Sequence, residues 1–449
     1  MTVIELRAVL SLAAVYGIRM LGLFLILPVF AIYAKQLPDY TPLMVGLAIG
    51  SYGLAQALLQ IPLGLLSDRV GRKPVIIGGL IIFALGGIVS AFSNTLYGIV
   101  VGRTIQGCGA ISGPIMALTA DLTREEVRLK AMAIIGISIG AAFMLSFIVA
   151  SPLEHWIGVP GIFWITTLLA ISGIAIVTLL VPQPAHCGIH RDAETVPAQF
   201  AAALRKFDLL QTYFGIFTLQ MLITSLFLVI PLKLSALGIP NSQHWHIYVP
   251  VLFGSVIGLV PLLFLSERGG HIKTMMLGGI LFLALSELAL YVWSDNVVNL
   301  SLALLVYFTA FNLLEAALPS LVAKFAPVSA KGTAMGIFAS AQFLGAFCGG
   351  LMGGLAHQTL GLDAVFILDS SVALLWFLIS LSMSNPPRLI NKLLRVGPIN
   401  KVQAEQLTTR LRSMAGVLEA EVVIEEELVY LKVDKSIFKV EDVNIDFIK

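Results

Sequence analysis

Arg19, Arg103 and Glu315 each sit inside a long apolar run of the chain. An ionisable side chain at bilayer depth costs on the order of 2.5–3.5 kcal/mol, so a residue kept there has a partner or a task. Glu315 is the candidate proton carrier, because burial raises a carboxyl pKa toward neutrality. Arg103 cannot usefully deprotonate. Its role would be to hold a counter-charge or tune a carboxylate, and Arg19 is read the same way. Glu287 and Asp369 fall in runs expected to face lipid or to support a bundle, and are read as structural. Tyr16, Gln56, Gln60, Gln220, Asn312 and Gln342 add polar points suited to a substrate cavity.

A second group is compact in sequence. Gly64-Leu-Leu-Ser-Asp68-Arg69-Val-Gly71-Arg72-Lys73 joins two apolar runs. Gly64, one turn before Asp68, would let a neighbouring helix approach closely. Asp68 ends its helix as a carboxylate suited to meeting a helix N-terminus. Gly71 permits a tight turn, Arg72 and Lys73 belong in the polar interface, and Asp121 is the expected partner of Arg72. A basic topology signal alone would need neither Asp68 nor the glycines.

These residues are positioned by twelve apolar spans, approximately 7–35, 43–68, 75–93, 97–121, 131–152, 162–181, 208–235, 246–266, 274–293, 298–323, 332–357 and 363–384. With 58% hydrophobic and 12% charged residues among 449, the chain is read as an all-α membrane protein. About 20 apolar residues cross a bilayer as a helix, and lipid-exposed backbone has no other way to satisfy its hydrogen bonds. Basic residues crowd one set of loops, among them Arg69, Arg72, Lys73, Arg124, Arg128, Lys273 and Lys331, against Lys35 and Lys233 on the other. The positive-inside rule then places both termini of this multi-pass protein in the cytoplasm.

The chain repeats itself at about 200 residues. Leu23–Pro28 (LFLILP) is echoed by Leu226–Pro231 (LFLVIP), Ile61–Gly71 by Val260–Gly270, and Lys130 (KAMA) by Lys331 (KGTA). Two six-span halves in one orientation are the parallel-repeat plan of secondary transporters, with a substrate site between the halves. The halves are read as 1–181 and 207–386, joined by a polar cytoplasmic linker, 182–206. Within that linker His186, Cys187 and His190 lack the fourth ligand of a closed metal site. The prolines Pro28, Pro62, Pro114, Pro231, Pro261 and Pro319 are expected to break helices that line the cavity. Residues 391–449 are charged, with strands expected near Leu393–Ile399, Val417–Ile424 and Leu428–Val433, a helix over 401–414 and a last helical piece near 440–448. This order suggests a ferredoxin-like α+β module. No cysteine follows Cys348, so metal carriage is disfavoured; binding a regulator or a second copy is the expected use.

The Gly64–Lys73 run resembles the signature of the major facilitator superfamily between its second and third helices, and the resemblance covers residues 7–384. Arg103-Thr-Ile-Gln106-Gly107-Cys-Gly109-Ala110 resembles the arginine motif of its proton-coupled drug-antiporter branch. Arg19-Met-Leu-Gly, Phe311-Asn312-Leu-Leu-Glu315-Ala and Lys331-Gly-Thr-Ala-Met-Gly336 are similar to bacterial members that append a cytoplasmic ferredoxin-like domain. The resemblance implies a bacterial inner-membrane location and rocking of two six-helix bundles, with Asp68, Arg72 and Asp121 as a charge relay latching an outward-open state. Two departures stand out. The fifth span has Gly136 and Gly140 but continues Ala150-Ser151-Pro152-Leu-Glu154 instead of a Gly-Pro signature, and His271 replaces an arginine in the second-half echo.

The expected function is proton-driven export of amphipathic small molecules by alternating access, with small solute, protons and lipid as partners. Uncoupled or symport transport of a metabolite is the first alternative, and a membrane sensor acting through the C-terminal module the second. No nucleophile–base pair, phosphate loop or nucleic-acid signature is present in the sequence. The chain is therefore read as neither an enzyme nor a nucleic-acid binder, and no cofactor is expected.

Overall fold

The computed structural model describes residues 1–183, 199–269, 272–327, 330–385, 389–396, 400–423 and 428–434. His186, Cys187 and His190, Gly270 and His271, and the expected helix near 440–448 lie outside them. The membrane part is helical throughout: α1 (Val3–Phe24), α2 (Leu27–Ala34), α3 (Pro42–Val70), α4 (Arg72–Phe92), α5 (Leu96–Cys108), α6 (Ser112–Asp121) and α7 (Glu125–Leu179), then α8 (Phe200–Arg205), α9 (Phe207–Ala236), α10 (Trp245–Gly269), α11 (Ile272–Trp293), α12 (Val297–Phe325), α13 (Lys331–Leu360) and α14 (Ala364–Leu381).

Ten helical segments among the described residues are long and apolar enough to cross a membrane, α1 and α2 counting as one. The segment Lys130–Leu179 bends at Gly158, whose φ of 68° only glycine adopts readily, and so crosses twice. The short helices α5 and α6 together supply one more crossing, which makes twelve. Only two of the six prolines stand at breaks. Pro28 sits in the first turn of α2 and Pro114 in the first turn of α6, where a missing N–H costs little. Pro62, Pro231, Pro261 and Pro319 lie inside continuous helices, where neighbouring helices support the freed carbonyls.

In the first half α7 packs against α1 and α4, and α5 against α3 and α4. In the second, α9 packs against α12, α13 and α14, α11 against α12 and α14, and α10 against α12. The halves meet where α3 crosses α13. A methyl group added at Gly46, Gly50 or Gly53 would overlap the backbone of Gly350, Phe347 or Phe343. The other side of α13 lies as close to α9, Gly345 against Phe217 and Gly349 against Met221. Small residues four apart thus let α13 wedge between two helices.

All of these α3–α13 contacts lie at the end of α3 remote from the basic loops. There Phe147 of α7 meets Phe227 and Tyr248 with ring centroids 4.8 and 5.4 Å apart. Asn241 donates to Glu154 at 2.8 Å, and the Leu43 amide to Gln358 at 3.3 Å. Asp39 accepts the amides of Leu96 and Tyr97 at the start of α5. Burial works against its charge, but these donors prevail and hold the carboxyl below its usual range. This face, opposite the basic one, is sealed. Toward the basic face a methyl group at Gly64, Gly136 or Gly140 would meet nothing within 4 Å.

The C-terminal module contains β1 (Leu389–Arg395), α15 (Lys401–Arg412), β2 (Val417–Val423) and β3 (Leu428–Asp434). The sheet order is β1-β3-β2, with β3 antiparallel to both neighbours. That is the split β-α-β arrangement of a ferredoxin-like unit. β1 begins four residues earlier than the sequence indicated. Leu407 and Leu411 of α15 pack with Ala420, Val429, Leu431 and Val433 of the sheet. Lys206 lies 3.4 Å from Glu419, an exposed ion pair between the module and the start of α9.

Gly350→Val should prevent closure of the sealed face, since overpacking costs about 1–3 kcal/mol. A cysteine pair at Leu43 and Gln358 measures it: oxidative cross-linking should fall about tenfold, as expected for roughly 1.4 kcal/mol. Unchanged cross-linking would show that the glycine contact does not hold this face shut.

Candidate coupling and gate site

Three polar clusters emerge. The first is buried in the first half. Arg19 of α1 donates through Nη2 to Gln56 Oε1 at 2.7 Å and to the Gly109 carbonyl at 2.9 Å. That carbonyl is available because the helix breaks between α5 and α6. Gln56 donates to Gln60 at 3.0 Å, and the Ser112 hydroxyl to Gln60 at 2.6 Å. Arg103 of α5 donates to Gln106 at 3.1 Å. Its guanidinium lies 5.0 Å from the Tyr52 ring centroid, and that of Arg19 lies 5.8 Å from the same ring. Each such contact contributes about 0.5–2 kcal/mol. Arg19 Nε and Nη1 and Arg103 Nε and Nη2 are buried without a hydrogen-bond partner. Tyr16, Gln56 and Gln60 are buried too. They belong to the arginine network, not to an open cavity surface.

The second cluster is in the other half. Glu315 of α12 is partly exposed and accepts from Gln220 of α9 and Gln342 of α13, each at 3.1 Å. Asn312, one turn earlier on α12, donates to Ser255 of α10 at 3.0 Å. Gln220, Asn312 and Gln342 are all partly exposed. The structure therefore separates the expected coupling set. Arg19 and Arg103 converge on Tyr52 in one bundle, and Glu315 stands in the other. Tyr52 connects them: its ring lies 6.3 Å from that of Phe343 on α13, the residue after Gln342.

The third cluster is on the basic face. Gly71 takes a φ of 103° and turns α3 into α4. The buried Arg72 pairs with Asp68, donates to Ser67 at 2.9 Å and reaches Asp121 at 3.4 Å. Asp68 thus meets a side chain one turn on, where a helix N-terminus had been expected. Lys73 donates to the Val181 carbonyl at the end of α7, and Arg69 is exposed. A methyl group at Gly64 would meet nothing within 4 Å, while one at Gly113 of α6 would lie 3.6 Å from the Gly64 Cα. The cluster is complete in a state whose sealed face is the opposite one. Its assembly within the first bundle does not by itself select the outward-open state that the resemblance implied.

Glu287 and Asp369 were expected on lipid-facing or supporting helices. Both are fully buried inside the second bundle. Ser225, which donates to Asp369 at 2.5 Å, and Tyr307 carried no signal in the sequence that pointed to them.

Two six-helix halves with this gate between α3 and α4 are matched by the Major Facilitator Superfamily pattern over residues 12–251 and 212–418. The chain belongs to the major facilitator superfamily. It is 37% identical over 437 residues to the inner membrane transport protein YajR of Escherichia coli K12, covering 97% of this chain and 96% of that one. Two solved structures share the fold. The human organic anion transporter MFSD10 (TETRAN) superposes with a TM-score of 0.62 at 21% identity, covering 84% of this chain and 99% of that one. A bacterial homologue of the human lysosomal transporter Spinster, inward-facing and occupied, gives 0.69 at 13% identity, with 86% and 98% coverage. The chain is thus a multi-pass membrane transporter, not an enzyme.

Arg72→Ala would leave the buried Asp121 without its guanidinium, and breaking a buried ion pair costs about 3–5 kcal/mol. Unfolding of the detergent-solubilised protein should show this loss, with Arg72→Lys in between. Arg69→Ala, at an exposed site, should stay within about 0.5 kcal/mol. Equal effects at both positions would remove the cluster from the stability of the first bundle.

Proposed function

We propose that this transporter exports amphipathic small molecules in exchange for protons, and that Glu315 carries the proton. The observation that supports this most directly is the position of Glu315. An ionised carboxylate accepts from both glutamines. A protonated one loses acceptor capacity on one oxygen, so Gln220 or Gln342 is released. Gln342 belongs to α13, the helix wedged by glycines against α3. Protonation of Glu315 therefore acts on the joint that seals one face. Arg19 and Arg103 act from the first bundle. Their charges press on Tyr52, which meets the same helix at Phe343.

We assign the basic face to the cytoplasm, which makes this the inward-open state. The units are read as 1–181, 207–386 and 391–449, with the last binding a regulator or a second copy. Gln220, Asn312 and Gln342 offer substrate hydrogen bonds among apolar walls, and this supports an amphipathic solute. A second reading, symport or facilitation, is favoured by one observation: after Gly136 and Gly140, α7 continues Ala150-Ser151-Pro152 in place of the Gly-Pro part of an antiporter signature.

Uptake of a fluorescent cationic dye into proteoliposomes, with and without a pH gradient, tests the proposal. Gradient-dependent accumulation is expected, with Glu315→Gln reducing it about tenfold or more while dye exchange at equilibrium persists. Flux that ignores the gradient would favour facilitation, and full coupling in Glu315→Gln would remove Glu315 from the mechanism.

A further inference from the structure

The second bundle buries a carboxyl pair that the transport proposal does not use. Glu287 comes from α11 and Asp369 from α14, and neither has exposed surface. Their helices are clamped one turn away, where the Ser370 hydroxyl donates to the Ala284 carbonyl at 3.0 Å. Asp369 Oδ2 accepts from Ser225 of α9 at 2.5 Å. Asp369 Oδ1 and both oxygens of Glu287 are sealed from solvent without a hydrogen-bond partner. A fourth helix supplies an independent sign that something is held here. Tyr307 of α12, also fully buried, lies within electrostatic reach of both carboxyls, and its hydroxyl has no partner either.

Three charged groups on the surrounding helices have partners away from the pair, and Asp208 at the start of α9 accepts the Ser384 amide. Lys233 of α9 is bound to Asp363, Lys273 of α11 to the carbonyls of Leu381 and Met383, and Glu315 of α12 to its two glutamines. Among the described residues no basic side chain bonds to Glu287 or Asp369. Two neighbouring carboxylates ionised together, without a cation, are not sustainable in a dry interior. Like charges at such a site share a proton instead.

We propose that Glu287 and Asp369 form a proton-binding site, with one proton shared between Glu287 and the free Asp369 oxygen. The Tyr307 hydroxyl adds a dipole beside the pair without bonding to either carboxyl, and Ser225 donates to the other Asp369 oxygen. A proton is the ligand because it fits between atoms that expose no surface. The sealed site retains it, so it joins α9, α11 and α14 into one rigid body. It is distinct from the proton exchanged at Glu315, and the inference stands whether or not Glu315 couples transport.

Infrared difference spectroscopy of the full-length protein in proteoliposomes tests it, in a Glu315→Gln background that removes the partly exposed acid of the same bundle. A protonated-carboxyl carbonyl band should persist from mildly acidic to alkaline pH and exchange slowly in heavy water. It should vanish in the Glu287→Gln/Asp369→Asn double variant. If the double variant does not fold, each single substitution should shift or abolish the band, because the remaining carboxyl has a new partner. Absence of the band in the Glu315→Gln background, or a band unchanged by both single substitutions, would overturn the proposal. A band that emerges only when sodium is withdrawn would overturn it as well, identifying the ligand as a metal cation. With Glu315 intact, Glu287→Gln should leave gradient-dependent dye transport within about twofold of the unsubstituted protein. Loss of coupling there would contradict a retained proton.

Discussion

A charge in hydrocarbon must find its partner inside the protein, and the two bundles meet this constraint in opposite ways. The first holds two arginines and answers them with glutamines, a tyrosine ring and a backbone carbonyl. The second holds Glu315, Glu287 and Asp369, with amide donors for the first and hydroxyls around the others. Positive potential therefore accumulates on one side of the α3–α13 joint and acidic groups on the other. The glycines of α3 and α13 bring the two potentials close by removing the side chains that would keep the backbones apart.

Much of the fold is legible in the sequence because lipid leaves so few choices. Length, apolarity and the repeat at Leu23–Pro28 and Leu226–Pro231 suffice for twelve crossings in two like-oriented halves. Boundaries are harder to read. Pro62 and Pro319 resemble breakers as strongly as Pro28 does, yet only the last coincides with an interruption. Whether a proline kinks a helix or merely sits in it depends on which neighbours take up the freed carbonyl, and that is a tertiary fact.

The site divides along the same line. The turn that carries Arg72 was readable because it is local and glycine-punctuated, whereas the pairing of Asp68 with Arg72 came only with the resemblance. Glu315 was conspicuous as an acid in an apolar run, but its glutamines come from α9 and α13, far away in the chain. Arg19 depends on the carbonyl of Gly109, exposed by a helix break that Pro114 signals but does not locate within the apolar run 97–121. Glu287 and Asp369 were individually visible and jointly invisible: their pairing, with Ser225 and Tyr307, requires four helices to converge. Hydropathy assigns a charge its depth but not its company.

The picture that results is of a hinge controlled at one helix. α13 carries Gln342 to Glu315, Phe343 to the ring between two arginines, and Gly350 to the seal. The most direct measurement places spin labels at Lys35 and Thr359, exposed positions flanking the sealed face, and follows their separation by pulsed electron resonance as pH is varied. In the unsubstituted protein, alkaline pH should populate the short distance, because ionised Glu315 holds both glutamines, and acid should populate a longer one. Glu315→Gln should remain at the longer distance at every pH. An identical pH response in the two proteins would contradict control of the seal by this carboxyl.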